Sequence, residues 1–301
     1  MSPQPLYIET KIIGDMETLW NYTQDPGFHE KWDLRFSSIQ YLPKKKPNDP
    51  QEFLYHTQIG LGLQVNGFGE SLAVVTKGRG ERTSALKFWS EEKISIIEKG
   101  AGYWKYVPEK DGIKFYTGYD YSTRWGFFGK IIDRYIFRPL MVWATAWSFD
   151  RLKNWIEKGI PPRQALQSFF TVWIASLGLG LVWIYQVLVP KLLFQDSGEL
   201  QILAQTHFFP GRERDLLNLM GAAEIFFGFL IISVHQRWIH VLNILGLLLL
   251  GAGALKSGIL IFTLPFNPFT LNLSMMLLSA AALPHFDNLP RAYHCVTRQR
   301  P

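Results

Sequence analysis

Cysteine is almost absent from this sequence, since Cys295 is the only one in 301 residues. An intrachain disulfide needs two thiols, and a cysteine-based zinc or iron–sulfur site needs several clustered thiolates. A single cysteine excludes both within the chain. The fold must therefore be held together by packing and hydrogen bonding rather than by cross-links of this kind.

Recognisable catalytic motifs are also missing. No H-E-x-x-H, G-x-S-x-G, P-loop or C-x-x-C pattern occurs. The seven histidines are scattered, and His235 and His240, five residues apart, would face different ways on a helix. The residues therefore indicate no metal and no evident cofactor, and they favour a non-enzymatic binding protein.

Charged residues are also scarce, but only in the second half of the chain. Charged residues are frequent in residues 1–163 and sparse in residues 164–301. The segment Phe169–Val189 has no charged residue at all. As a helix it would be roughly 31 Å long, about the thickness of a bilayer's hydrocarbon core. We therefore predict a soluble domain at 1–160 and a transmembrane domain at 161–301.

Four apolar segments make up the predicted transmembrane domain. Glu224 is the only charge in the second segment and Lys256 the only charge in the third. Short connections favour an up-and-down four-helix bundle. The predicted spans are 168–189, 216–234, 239–263 and 270–284.

The orientation of the spans follows from the basic residues beside them. Lys158, Arg163 and Arg237 lie on the side of the N-terminal half, whereas the basic residues of the opposite loops are offset by acidic ones. The first twenty residues lack the basic and apolar regions of a signal peptide. We expect a multi-pass cell-membrane protein with both termini in the cytoplasm.

An intramembrane polar site is predicted from the depth of the two charges. Glu224 and Lys256 would each lie roughly 12 Å from the outer ends of antiparallel spans, so we expect them to face each other. Tyr185, Gln186 and Asn272 fall in the same outer half. Two interpretations remain open: a structural ion pair, or a pocket for a quinone head group, a proton or a small anion.

The N-terminal half shows strand and turn patterns followed by a helical one. A strand at 6–13 precedes two short helices that begin near Asp15 and Pro26. Strand-like runs separated by turn residues then predict an antiparallel meander. A long helical segment follows, interrupted at Pro139 and ended at Gly159. The fold class is therefore α+β, with an antiparallel sheet around a long C-terminal helix.

This order of elements resembles the helix-grip fold of the START/polyketide-cyclase superfamily, also called SRPBCC, over residues 5–158. The stretches that carry the resemblance are GFGESLAV, GAGYWKY with YTGYDYSTRWG, and FRPLMVWATAWSFDRLKNWIEKG. The resemblance implies a cavity between the sheet and the long helix that holds a hydrophobic small molecule. It implies no single chemistry, since the superfamily includes both carriers and enzymes.

Candidate ligand-binding side chains come from the strand-like runs. Alternation along a strand sends about half of the side chains to each face. Packing within the sheet, or exposure at its surface, would therefore explain each of these residues as well as a role in ligand binding does. The candidates are His56, Gln58, Glu70, Trp89, Glu98, Tyr103, Tyr119 and Arg124.

The membrane half resembles the DoxX-like family of small four-helix membrane proteins over roughly residues 165–290. The matching stretches are LGLGLVWIYQVLVPKLL, GAAEIFFGFLI, HQRWIHVLNILGLLLLG and PFNPFTLNLSMM. Some members are linked to quinone-dependent sulfur oxidation or redox stress. The resemblance therefore implies a membrane four-helix bundle, and it allows a quinone and a redox partner subunit.

Partners are indicated by the helical segment that closes the first half. Phe127 and Phe128 belong to a larger set of aromatic and apolar residues interleaved with Lys130 and Arg134. That mixture suits a lipid bilayer interface, and a homo-oligomer contact remains the alternative. The net charge of +6 lies partly beside the membrane spans, so we expect no nucleic acid partner.

Two functions follow. The favoured one is a membrane-anchored protein that binds a hydrophobic small molecule, lipid or quinone-like, in a cytoplasmic helix-grip cavity. The alternative is a quinone-linked oxidoreductase subunit of DoxX type. Because the residues supply no redox centre of their own, a partner subunit would have to provide it.

Overall fold

The computed structural model divides into two compact units, which we call the sheet unit and the membrane unit. The sheet unit comprises Met1–Ala165 and Pro290–Pro301, and the membrane unit comprises Leu166–Leu289. The sequence-based boundary placed the last residues with the membrane half, whereas the structure groups them with the sheet. The residues described are 4–44, 46, 48–60, 62–75, 80–194, 198–205, 207, 210–257, 259–263, 265 and 267–299.

An antiparallel sheet forms the first unit, as predicted. Among the described residues it has seven strands in the order β1-β7-β6-β5-β4-β3-β2, so β2 to β7 form a meander and β1 pairs with the last strand. The strands are β1 Leu6–Ile12, β2 Ser38–Tyr41, β3 Gln51–Gly60, β4 Leu63–Val75, β5 Arg82–Trp89, β6 Ile97–Glu109 and β7 Gly112–Thr123.

Two short helices follow β1, and side-chain caps define where they begin. They are α1, Met16–Gln24, and α2, Pro26–Trp32. The Asp15 carboxylate accepts from the Thr18 backbone N–H at 2.8 Å, and Asp25 accepts from the Phe28 N–H at 3.0 Å. Each aspartate satisfies a backbone donor that has no partner within its helix. Both helices were predicted, the first from Asp15 and the second from Pro26.

A long helical segment follows β7, and it is interrupted where Pro139 enters. It consists of α3, Gly126–Ile132, a π-helical turn at Asp133–Phe137, and α4, Arg138–Lys158. Proline lacks a backbone N–H and its ring clashes with the carbonyl four residues earlier, and a wider π turn accommodates both effects. Gly159 ends α4 in the left-handed conformation at φ 66°.

The core of the sheet unit lies between α4, α2 and the inner face of the sheet. Trp32, Tyr106, Phe115 and Phe149 are among its largest fully buried side chains. The Phe115 and Phe149 rings stack with centroids 4.5 Å apart, which joins β7 to α4. The space beside this packed region, over residues of β3 to β7, is left for a cavity.

The C-terminal segment completes the sheet unit. Glu9 in β1 and Val296 exchange backbone hydrogen bonds of 2.8 and 2.9 Å. Asp150, which is buried in α4, accepts from the Arg291 backbone N–H at 2.7 Å and lies 2.9 Å from His294 Nδ1. The segment therefore extends the edge of the sheet and partners a buried carboxylate.

The membrane unit contains four helical segments, within the described residues, that are long and apolar enough to cross a membrane. This confirms the predicted four-helix transmembrane region. The predicted third span ran to residue 263, but α8 ends at Ser257 and a 3₁₀ turn follows at Ile259–Thr263. The four long helices are α5 Pro162–Val187, α7 Glu213–Ser233, α8 Arg237–Ser257 and α9 Pro268–Ala282. A short helix, α6 Glu199–Gln205, lies between α5 and α7 along the chain.

Buried polar side chains tie the spans together. Trp183 in α5 donates to the Asn243 side-chain oxygen at 2.7 Å, and the Asn243 amide donates to the Ser279 hydroxyl at 2.9 Å. In a bilayer such groups find no water, so their bonds to neighbouring helices fix how α5, α8 and α9 pack.

Candidate functional site

The sheet unit encloses a cavity of about 580 Å³ between the inner face of the sheet and the helices. This volume lies in the range of small-molecule binding sites. Two glycines in β4 leave space for aromatic rings that form the cavity wall. A Cβ at Gly67 would collide with the ring of Tyr55, and a Cβ at Gly69 would collide with the ring of Phe53. Apolar lining residues include Leu34, Phe36, Ile39, Phe53, Val65, Leu86, Phe88 and Met141.

A buried cluster of charged side chains, the ion cluster, forms one part of this wall. The Arg35 guanidinium makes two hydrogen bonds to the Asp33 carboxylate, of 2.9 and 2.6 Å. His29 Nε2 lies 3.0 Å from the same carboxylate. Both Arg35 and His29 line the cavity, and the Asp33 side chain is fully buried beneath them. The mainly apolar cavity therefore has basic hydrogen-bonding groups at one place among its described lining residues.

The charges of this cluster stabilise one another. Burial alone would raise the pKa of Asp33, but the Arg35 guanidinium and then His29 hold that pKa well below its usual range. The same pairing with Asp33 outweighs burial and raises the pKa of Arg35. The guanidinium is therefore a permanent donor with a built-in counterion, which suits it to orient a polar head group.

Part of the cavity rim is apolar, and we call that part the mouth. Trp125, Ile132, Leu140 and Trp143 line the cavity and are also exposed at the surface. These residues belong to α3, its N-terminal flank and the first turns of α4. An apolar molecule entering here would not have to pass a polar rim.

Exposed aromatic residues continue from the mouth along α3 and the π-helical turn that follows it. Phe127 and Phe128 are each 74% exposed, and Tyr135 is 70% exposed. The exposed basic residues Lys130 and Arg134 lie among them. Contiguous apolar surface with basic neighbours is typical of a surface that contacts a membrane or a partner protein.

The structure brings two of the predicted ligand-binding residues to the cavity, Gln58 and Tyr119. The Tyr119 hydroxyl lies 3.1 Å from the Thr145 hydroxyl of α4, and the Arg35 guanidinium lies 5.8 Å from the centre of its ring. Gln58 reaches the wall next to a register shift between Gln58 and Gly60.

Three other predicted residues gather at a separate surface depression. Trp89, Glu98 and Arg124 line it together, and the Arg124 guanidinium donates to the Ser90 carbonyl at 2.6 Å. The remaining three, His56, Glu70 and Tyr103, lie on strand positions that alternate with cavity-lining ones. They therefore point to the outer face of the sheet.

Sequence reasoning missed the ion cluster. His29 and Asp33 are four residues apart at the end of α2, and Arg35 follows in an Asp-Leu-Arg stretch, which is the available signal. The same pattern occurs on any solvated helix end, so it carries little information by itself. Among the described residues, no group of three or more His, Cys, Asp or Glu side chains is placed to hold a metal ion.

The membrane unit has a second cavity, of about 830 Å³. Its charged lining residues, among those described, are Lys191, Glu199 and Glu224. Lys191 Nζ is hydrogen-bonded to the Glu224 carboxylate and lies 3.5 Å from the Glu199 carboxylate. The cavity thus combines apolar walls with one cluster of three charges.

The cation that pairs with Glu224 is Lys191, not Lys256 as predicted. Lys256 is exposed and does not line the cavity, and neither does Tyr185. Gln186 and Asn272 do line it, as does Glu224. The predicted polar site is therefore brought together only in part.

The reason for this difference is Pro190. The predicted first span ended at residue 189, which left Lys191 outside it. Instead the helix continues through a π-helical turn at Leu188–Leu193, which tolerates the proline and keeps Lys191 buried. Glu199 was missed because it lies in α6, between the predicted first and second spans.

Comparison with known proteins finds one family match, and it lies within the membrane unit. A model of the DoxX-like family matches residues 180–280, which confirms the resemblance predicted for the membrane half. The uncharacterized membrane protein YndG of Bacillus subtilis (strain 168) is 45% identical over 187 residues, which cover 62% of this chain and 69% of YndG.

Solved structures are similar to the chain over about half of its length. A START superfamily protein from Mycobacterium smegmatis is 12% identical with a TM-score of 0.37, and the match covers 52% of this chain and 99% of that protein. The di-domain ARO/CYC StfQ from the steffimycin biosynthetic pathway is 15% identical with a TM-score of 0.40, covering 51% of this chain and 50% of StfQ.

Proposed function

This chain belongs to the family of the Bacillus subtilis membrane protein YndG and carries a DoxX-like membrane domain, and from that premise we propose that it is a membrane-anchored binding protein for a hydrophobic molecule. The observation that carries the proposal is the cavity of about 580 Å³ in the sheet unit, with apolar walls and an apolar mouth. A lipid acyl chain is the ligand class that these walls suit best.

The buried ion cluster supports a ligand with a polar head group. Arg35 and His29 line the cavity, so their remaining hydrogen-bonding capacity faces a bound molecule. Because Asp33 already neutralises Arg35, the site suits a hydrogen-bonding head group that carries little net charge. The ligand would then be held by its apolar chain and oriented by its head.

We expect a photoactivatable diazirine monoacylglycerol, whose head group is uncharged, to label the sheet cavity of the full chain in nanodiscs. Leu86→Trp should narrow the cavity and lower labelling of β3–β5 peptides by about tenfold, which corresponds to about 1.4 kcal/mol. Ala85→Trp is the matched control, because Ala85 is the exposed neighbour of Leu86 on the opposite face of β5. Peptide mapping by mass spectrometry gives the readout.

Two results would contradict this function. Labelling confined to the membrane spans would mean that the sheet cavity takes no acyl chain. Equal loss in the Leu86→Trp and Ala85→Trp variants, at unchanged melting temperature, would mean that the labelled site is not the cavity.

We also propose that both termini lie in the cytoplasm. The bridge between Glu9 and Val296 supports a common side for the two ends, because it joins them within the sheet unit. The bias of basic residues supports the cytoplasmic side. A reporter fused after Pro301 should be active only in a cytoplasmic assay, and one inserted after Gly211 only in an external assay. Activity of both on the same side would contradict this topology.

The alternative function, a quinone-linked subunit with a partner's redox centre, is favoured by the second cavity. Its apolar walls together with Gln186 and Asn272 could accommodate a quinone ring. Under this alternative, purified protein should carry quinone in about equal amount to the chain, and a redox partner subunit should co-purify. Lipid extracted without quinone would support the binding protein instead.

A further inference from the structure

The cavity of the membrane unit has an unequal balance of charge. Lys191 is the one cation among its described lining residues, and it is shared by two carboxylates, Glu224 and Glu199. The side chains of Lys191, Glu224 and Glu199 are 8%, 11% and 32% exposed. With both carboxylates ionised, the cluster therefore carries one uncompensated negative charge in a largely desolvated place.

The other described lining residues add no positive charge that would offset this excess negative charge. Its other polar members are uncharged: Gln186, Asn267, Thr270, Asn272 and Ser274. The Asn272 amide is bonded to the Leu247 carbonyl at 3.3 Å. The remaining wall, from α7, α8 and α9, is apolar, with Leu217, Met220 and Leu250 as examples.

Hydrogen-bonding capacity is unbalanced in the same direction. An ammonium group has three donors and no acceptor, whereas two carboxylates together offer about eight acceptor positions. A buried carboxylate that lacks a counterion is costly, and it is relieved either by a proton or by a cation. Burial raises the pKa of Glu199, the pull of Lys191 opposes this, and the neighbouring Glu224 adds to the rise.

We propose that this cavity binds a hydrophobic organic cation, with its positive charge beside Glu199 and Glu224 and its apolar body along α7, α8 and α9. An anion is disfavoured because Lys191 is already engaged by both carboxylates. A neutral ligand would leave the excess negative charge uncompensated. This site is separate from the sheet-unit cavity, and it does not depend on the function proposed for that cavity.

Competition with protons follows from this arrangement. The charged groups that face the carboxylate of Glu199 are Lys191 from the π-helical turn and Glu224 from α7, while the described lining from α8 and α9 is uncharged. A proton and an organic cation would neutralise the same charge. Each therefore lowers the apparent affinity for the other.

The test uses full-length protein in detergent and tetraphenylphosphonium, whose charge does not change with pH. We expect binding at pH 8.5 that weakens several-fold at pH 4.5, because the pKa of Glu199 is raised by burial and its carboxylate takes up a proton over this interval. Glu199→Gln should weaken binding at pH 8.5 and abolish its pH dependence. Glu213→Gln is the matched control, because Glu213 begins α7 outside the cavity lining, and it should bind as the unmodified chain does.

A second variant changes affinity in the opposite direction. Lys191→Met removes the internal cation, so tetraphenylphosphonium should bind several-fold more tightly at pH 8.5. A cluster that only holds the helices together would not produce this increase. If Lys191→Met does not fold, the comparison of Glu199→Gln with Glu213→Gln still decides the matter.

Three outcomes would overturn the proposal. Tetraphenylborate, an anion of the same shape, should not bind, and equal binding would mean that charge is not recognised. A neutral short-chain quinone that displaces the cation with higher affinity would assign the cavity to the quinone-linked alternative. Binding of tetraphenylphosphonium that is unchanged by Glu199→Gln would place the cation elsewhere.

Discussion

Asp33→Ala is expected to lower the melting temperature of the sheet unit by roughly 6–20 °C, since breaking a buried ion pair costs about 3–5 kcal/mol. The Asp33 side chain is fully buried and that of Arg35 is 12% exposed. Without the carboxylate, the guanidinium and His29 lose a shared partner in a place where water cannot replace it.

A double variant separates the pair from its surroundings. Asp33→Ala combined with Arg35→Met removes both charges and should be less destabilised than Asp33→Ala alone. Glu17→Ala is the control, because the Glu17–Arg82 pair is at the surface and should matter little. If the double variant is as unstable as the sum of the single ones, the two groups do not act as a pair.

The pH dependence of this pair has a definite sign. The folded-state pKa of Asp33 is lowered by Arg35 despite burial, so the pair contributes stability above the unfolded-state pKa of about 3.9. That contribution is lost only as the pH falls through the folded-state value. The difference in melting temperature between the unmodified chain and Asp33→Ala should therefore be constant from pH 7 to about pH 5 and shrink only at pH values below about 4.

Deletion of residues 290–301 is expected to destabilise the sheet unit by about 3–5 kcal/mol, the cost of leaving a buried charge without its partners. The deletion removes the backbone bonds between Glu9 and Val296 and two partners of the Asp150 carboxylate. The Asn154 amide, at 3.3 Å, is the partner that stays. Hydrogen exchange of β1 amides, followed by mass spectrometry, should become faster.

Asp150→Asn tests the cause of that loss. In the full chain it should destabilise, because it weakens the bonds to Arg291 and His294. In the deleted chain it should stabilise, because it removes a buried charge that lacks its partners. The same sign in both chains would mean that the segment acts through packing and not through Asp150.

Local chemistry explains why much of the fold was predictable. Asp15 and Asp25 cap helices through residues only three positions away, and Gly159 ends α4 by its own backbone conformation. The strands follow turn residues and alternation that are visible in any short window. None of these features depends on a distant part of the chain.

The candidate sites were less predictable because they join distant residues. Gln58 reaches the sheet cavity although His56, two positions away, points to the outer face, since a register shift follows Gln58. Asp33 and Arg35 form a buried ion pair only in the folded protein, where the sheet and α4 cover them. A bulge and a burial pattern of this kind are set by strand pairing, which a single strand does not encode.

The sequence by itself determined the division of this protein. Segments such as Phe169–Val189 are uncharged and long enough to span a bilayer, and hydropathy alone requires them to leave water. The tertiary structure decided which charged side chains form pairs. Glu224 pairs with Lys191 because a π-helical turn carries the helix past Pro190, and Asp150 finds His294 because the chain returns to the sheet. Partners of buried charges depend on the folded path between them, and spacing along the chain does not fix that path.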